Sequence, residues 1–279
     1  MNMKMKLFSY NLADTYVHRL SGLTKLICFL LLTFAVMFSY DIRVVLAVMV
    51  FSLWILRISM IQYSQIRLMV IYVVVFLITN AIITFFFAPE FGVELYGTRH
   101  VLVSLIGRYN ITVEQIFYQT TKLLKYASVI PLGIIFLLTT NPSEFASSLN
   151  GVGVHYKAAF AVELTLRYFP DVQREYHDIS QAQQARGLDL SSKAKLSHRF
   201  KNSLQIIIPL IFSTLDRIEL ISNAMDLRGF GKYKKRTWYN QRKMTHEDII
   251  AIAVSGMIFA ATVAVSVFIN GSRFYNPFQ

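Results

Sequence analysis

Residues 68–88 and 249–269 contain no charged side chain. A helix needs about 20 consecutive apolar residues to cross the hydrocarbon core of a bilayer, and both runs reach that length. Three further blocks are nearly as apolar. Residues 23–40 carry Lys25 as their one charge, residues 44–60 carry Arg57, and residues 127–140 carry none. Lipid offers no partners to a bare backbone N–H or C=O, so segments of this kind must be helices. The pattern predicts an all-α integral membrane protein with about five transmembrane helices. The mean hydropathy of +0.46 argues against a soluble domain. The single Cys28 lies in the first block. It has no partner for an intrachain disulfide and is expected to pack. No cleavable signal peptide is expected, because the first block follows polar and charged residues and is too long.

The formal charge is +12, and its distribution sets an orientation. Residues 141–248 hold 16 Lys/Arg against 11 Asp/Glu, over half of all the basic residues. The positive-inside tendency places this segment in the cytoplasm. Five spans then put the N-terminus, with Lys4, Lys6, Arg19 and Lys25, inside. The Asp41–Arg43 turn and residues 89–121 fall outside, where Arg99 and Arg108 face Glu90, Glu94 and Glu114. Arg57 and Arg67 return inside, and the C-terminus is outside. Lys122 and Lys125 break the pattern on the outer side of the fourth span. Three regions result: residues 1–140 with helices one to four and an outer loop at 89–121, a cytoplasmic region at 141–248, and a last membrane helix at 249–279.

The cytoplasmic region keeps helical spacing. Phe169, Val172, Tyr176, Ile179 and Ala182 recur every three or four residues, with Asp171, Arg174, Glu175 and Asp178 opposite. Pro170 suits the first turn of this helix. A second amphipathic helix is expected over 209–227, with Ile211, Leu215, Ile218, Ser222 and Met225 on one face. Its other face holds Asp216, Arg217, Glu219, Asn223 and Asp226. Between the two, residues 191–202 read as a basic, Ser-rich connector. Asn141, Pro142 and Glu144 mark another helix start. Both amphipathic helices are too charged, or too briefly apolar, to span. Their apolar faces are expected to pack on the membrane helices or on a partner.

Both helices end alike. Residues 179–188 read ISQAQQARGL and residues 221–230 read ISNAMDLRGF, an offset of 42 residues. Glycine closes a helix in the left-handed conformation without a Cβ penalty, and an Arg in the last turn faces the negative end of the dipole. One such ending is ordinary helix chemistry. Two matched endings on one side of a membrane point further. An exposed Arg on a rigid tip is a directional donor for a carboxylate on another protein. Two tips imply two docking sites.

With these motifs the chain resembles the transmembrane (T) component of energy-coupling factor transporters, the group that includes the CbiQ-type cobalt permeases. The resemblance covers most of the chain. It is carried by VHRLSGLTKLICFLLL at 17–32, TTNPSEFASSL at 139–149, and RYFPDVQREYHDISQAQQARGLDL with IIPLIFSTLDRIELISNAMDLRGFG around the tips. One departure is Leu227, where the family favours a small residue. The resemblance implies a non-catalytic subunit in a bacterial cytoplasmic membrane, without cofactor. Its implied partners are two cytoplasmic ABC ATPase subunits and a membrane-embedded substrate-binding (S) subunit. Ala185, Arg186, Gly187, Leu227, Arg228 and Gly229 would couple to the ATPases. The transported substrate would be a micronutrient, a vitamin or a metal ion, bound by the S subunit.

Other chemistries find little support. There is no G-x-x-x-x-G-K-[ST] phosphate loop. The six His residues are scattered, without metal-ligand spacing. Asn80, polar within the third span, is expected to hydrogen-bond a neighbouring helix. Lys232, Lys234, Lys235 and Arg236, with Tyr233 and Trp238, suit anionic lipid at the membrane surface, or a contact with the second ATPase, rather than nucleic acid. The alternative reading is an ABC permease that forms its own substrate path, which requires polar residues along several spans. A membrane transferase would need an acid–base cluster that the spacing does not supply.

Overall fold

The computed structural model describes residues 15–103, 109–188, 196–233, 237–239 and 242–278, with residues 196–201 described in backbone only. Lys4, Lys6, Arg108, Lys234, Lys235 and Arg236, which enter the charge reading, lie outside these. In chain order the helices are α1 (Tyr16–Arg19), α2 (Gly22–Phe38), α3 (Ile42–Ile58), α4 (Tyr63–Phe87) and α5 (Phe91–Tyr96). Two short antiparallel strands follow, β1 (Val101–Val103) and β2 (Ile111–Thr112). Then come α6 (Val113–Thr139), α7 (Pro142–Gly151), α8 (Tyr156–Ala185), α9 (Leu196–Leu227) and α10 (His246–Ala264), the last ending in a π-helical turn, Val265–Ile269. The chain forms two compact units, residues 1–141 with 242–279, and residues 142–241.

The first unit holds the apolar helices. Among the described residues three are long and apolar enough to cross a membrane: α4, α6, and α10 with its π turn. Helices α2 and α3 have 17 residues each, at the short end of the spanning range of about 17–25. The starts are set by capping. Ser21 caps α2, Asp41 caps α3 and Thr112 caps α6, each accepting a backbone N–H of the first turn. Thr245 and Asp248 form a capping box on α10. The second carboxylate oxygen of Asp248 accepts the Ser21 N–H at 2.8 Å, tying the starts of α2 and α10 together. Leu32, Val36, Val48 and Leu132 form the core between α2, α3 and α6.

Two buried lysines join α2 and α6 at both ends. Lys25, near the start of α2, donates to the carbonyl of Thr139 at 2.7 Å, the last residue of α6. Lys125, within α6, donates to the carbonyl of Met37 at 2.7 Å, in the last turn of α2. Its ammonium also sits 3.4 Å from the Tyr40 ring centroid. Each helix therefore supplies the cation that satisfies the orphan carbonyls and negative dipole end of the other. This is why Lys125 breaks the charge pattern: it faces the protein interior, 2% exposed, as intramembrane cations usually do. Lys122 donates to the Thr84 hydroxyl on α4 at 2.7 Å. The interhelical bond expected from Asn80 is thus made by Thr84, while Asn80 Oδ1 is buried without a partner among the described residues.

At the α2–α3 turn, residues 270–278 run back over the helix ends. The Tyr40 N–H donates to the Arg273 carbonyl at 2.7 Å, and Phe274 stacks on Tyr40. Phe278 packs against Tyr96 and Phe117. Asp41 receives Arg43 at 2.8 Å and the Asn270 amide at 2.9 Å. Burial opposes ionisation of Asp41, but these hydrogen bonds outweigh it and hold its carboxyl below the usual range.

Several expected boundaries move. Helix α6 starts at Val113, so the connection expected at 89–121 is shorter and contains α5 and the two strands. Polar Glu114, Gln115, Gln119 and Lys122 hide this first part of α6 from an apolarity reading. Helix α8 starts at Tyr156 and α9 at Leu196, placing Pro170 and Pro209 inside helices rather than at their starts. Each proline removes one N–H donor, and the long flanking runs of hydrogen bonds carry the helix past it. The stretch 196–202, expected as connector, is the beginning of α9, while residues 189–195 lie outside the described residues.

Removing either lysine leaves buried carbonyls unpaired, a loss of about 1–3 kcal/mol. Lys25→Met and Lys125→Met should each lower the thermal unfolding midpoint in detergent, and the losses should add because the sites lie at opposite helix ends. For Asp41, a depressed folded pKa means that its stabilisation is complete above the ordinary value of about 3.9 and fades as pH falls through the folded value. Acidification below about pH 4 should therefore lower the midpoint of the natural protein more than that of Asp41→Asn.

Candidate functional site

The second unit contains α7, α8 and α9. Helix α8 has 30 residues and α9 has 32, so they run about 45 Å and 48 Å. Phe160, near the start of α8, packs on Phe230 just past the end of α9, with ring centroids 4.8 Å apart. Further along, Glu175 of α8 accepts from Arg217 of α9 at 2.8 Å and from the Ser213 hydroxyl. The contacts run in opposite directions along the two helices, so α9 returns antiparallel to α8. Tyr156 also packs on Phe230, and the Trp238 indole N–H donates to Asn150 at 3.1 Å. Trp238 is thus held within this unit by a hydrogen bond, whereas Tyr233 and Tyr239 are exposed.

The expected apolar stripes exist, with Val172, Ile179 and Met225 half-buried, but the two helices leave most of each stripe uncovered. Phe169, Tyr176, Ile211, Leu215 and Ile218 remain 45–53% exposed. The sequence placed Glu175 and Arg217 on outward polar faces, and the structure puts them where α8 and α9 touch. Opposite charges on two polar faces pair across the helices, which leaves the apolar stripes free to face something else.

Both helices close with the same backbone geometry. At the first tip the Leu188 N–H donates to the Gln183 carbonyl at 3.0 Å, and the Gly187 N–H to the Gln184 carbonyl at 3.0 Å. At the second, Phe230 donates to Met225 at 2.9 Å and Gly229 to Asp226 at 2.9 Å. Each is a Schellman closure, a six-residue and a nested four-residue loop ended by a left-handed residue. Gly187 and Gly229 take that place, with φ of 91° and 67°. Ala185 and Leu227 are the last helical residues, and Arg186 and Arg228 are the C-caps. Both arginines are exposed, and Leu227 is 90% exposed, so the departure at that position lies on the surface. Among the described residues no group of three or more His, Cys, Asp or Glu is arranged to hold a metal ion.

A Cβ at either glycine would meet no atom within 4 Å, so the cost of Gly187→Ala or Gly229→Ala is the left-handed backbone alone, about 1–2 kcal/mol. The expected outcome is faster amide exchange in the last turn of the altered helix, by about tenfold per 1.4 kcal/mol, with the other tip unchanged.

Known proteins resemble this chain in sequence. A family model described as CbiQ, cobalt transport protein, matches residues 13–239. The energy-coupling factor transporter transmembrane protein EcfT of Staphylococcus aureus is 25% identical over 265 residues, covering 91% of this chain and 94% of that protein. EcfT of Leuconostoc gelidum is 28% identical over 161 residues, covering 55% of this chain and 59% of the relative. A putative ABC transporter ATP-binding protein of Bifidobacterium longum is 31% identical over 171 residues, covering 58% of this chain. The match takes in 21% of that longer protein, so the chain spans only part of some of the relatives it resembles. The family match runs from the first apolar helix through both Arg-Gly tips, and the chain belongs to the CbiQ cobalt transport protein family, as a membrane-embedded T component of the energy-coupling factor type.

Proposed function

We propose that this chain is the coupling subunit of an ATP-driven importer, with α8 and α9 as levers and Arg186 and Arg228 as their contact points on two cytoplasmic ATPase subunits. The observation that carries the reading is the identity of the two tips: the same Schellman closure and the same exposed Arg at the same position. A guanidinium fixed at a helix end meets a carboxylate with two parallel hydrogen bonds, and a matched pair of tips suits a matched pair of receiving surfaces. The ATPases supply the hydrolysis. The exposed apolar stripes of α8 and α9 are the platform for a membrane-embedded substrate-binding subunit, which supplies specificity for a vitamin or metal ion. In this reading the lever unit and the N-terminus lie on the cytoplasmic side, and the C-terminus lies outside.

The lining of the membrane helices agrees with a subunit that transmits force. The cleft between α2, α3, α6 and α10 measures about 610 Å³ and is walled mostly by apolar side chains such as Phe29, Trp54, Phe136 and Val254, with Lys25, Glu247 and Ser255 as its polar members. Such a wall suits lipid or a partner helix better than the path of a hydrophilic solute.

Reversing one tip charge sets like against like in a contact that excludes water, a change of about 2–5 kcal/mol. Arg186→Glu and Arg228→Glu should each weaken co-purification of the ATPases by about 30-fold or more and abolish uptake in cells. Full assembly and full uptake in both variants would overturn the proposal.

A further inference from the structure

The two levers share more than their endings. Glu175 and Arg217 are 42 residues apart, the offset that also separates Arg186 from Arg228. Each lies eleven residues before its tip arginine. They are therefore the same position in the two copies of the repeat, and they touch each other at 2.8 Å. When a position contacts its own mate, the contact lies on the two-fold axis that relates the copies. The axis of this antiparallel pair thus passes through the Glu175–Arg217 contact. From there to each tip is the same eleven residues, about 16 Å of helix.

The surroundings follow the same pattern. Ser213, four residues before Arg217, donates to Glu175. Its mate in the repeat is Asp171, four residues before Glu175, and Asp171 lines the same open cleft as Arg217. Identical charges on the axis would repel one another. This chain has a carboxylate on one helix and a guanidinium on the other, so the pair is symmetric in geometry and complementary in charge.

We propose that Glu175 and Arg217 are positioning residues that form the fulcrum of the lever pair, clamping α8 to α9 midway between the tips. Force applied at either tip then acts through an arm of equal length, and the two helices turn about a shared point instead of sliding past each other. The inference rests on the reading of the tips as ATPase contacts and adds the element that converts their movement into rotation. The side chains are partly open, 18% exposed for Glu175 and 33% for Arg217, so exchanged charges have room to re-form the pair.

The test uses the complete transporter, this chain with its ATPase and substrate-binding subunits, purified and reconstituted in proteoliposomes. Variants are Glu175→Arg, Arg217→Glu, the double exchange, and the milder Glu175→Gln. The single reversals should leave the complex assembled and ATP hydrolysis within about twofold, while uptake per ATP falls about tenfold. Glu175→Gln should lower it in the same direction. The double exchange should return uptake to within about threefold of the natural protein, a rescue that a role in bulk stability does not produce. Unchanged uptake in the single reversals, or no recovery in the double exchange, overturns the fulcrum, as does a loss of assembly that the exchange fails to restore. Arg186→Glu and Arg228→Glu in the same assay separate the two readings: if both leave assembly and uptake intact, the docking proposal fails. If either breaks assembly while the Glu175 and Arg217 reversals are silent, the fulcrum alone fails.

Discussion

The reciprocal capping of α2 and α6 by Lys25 and Lys125 is the interaction on which the membrane unit depends. Each lysine lies on one helix and ends the other, at 2.7 Å in both cases. Buried helix ends pose a strict problem, because their last carbonyls have no partner within the helix and no water to replace it. A loop can meet that need with its own donors. Here a side chain from the neighbouring helix meets it, so the C-terminal end of α2 is satisfied only when α6 is in register, and the reverse. The α2–α6 alignment then sets the rest. Val45 of α3 offers its carbonyl to Ser128 of α6, and Asp248 of α10 binds the start of α2.

The second unit, residues 142–241, solves a different problem by similar means. Two long amphipathic helices have apolar faces that would ordinarily be buried against each other. Instead α8 and α9 meet through Glu175, Ser213 and Arg217, and much of their apolar surface stays exposed. A polar junction between helices gives up hydrophobic burial and gains a defined register. In exchange, apolar area on both helices remains uncovered, which in the proposed function receives the substrate-binding subunit. The tips are held by backbone closure at a glycine.

Much of this architecture was legible in the chain. Uncharged runs such as 68–88 can be little else than membrane helices, and the Arg-Gly endings signal helix ends from composition alone. Boundaries were harder wherever polarity and helix coincide. The first part of α6 carries Glu114, Gln115, Gln119 and Lys122 and so hides its helical state. Pro170 and Pro209 resemble helix starts but lie within helices whose neighbouring turns tolerate a missing donor. Among the positions proposed to act, Arg186 and Arg228 stood out because their surroundings repeat. Glu175 and Arg217 did not, since opposite charges break the visible repeat at the position where the two copies meet, although counting back the shared offset from each tip reaches them.

By itself the sequence determined the helical class, the membrane-crossing character and the two matched tips. These follow from local physics: lipid forbids unpaired backbone, and Gly tolerates the left-handed closure beside Arg. Only the tertiary structure decided which lysine ends which helix, and that Glu175 meets Arg217. Those pairings join residues 114, 88 and 42 positions apart. A charge in a sequence shows what it can bind, and the packing of the helices decides which partner comes within reach.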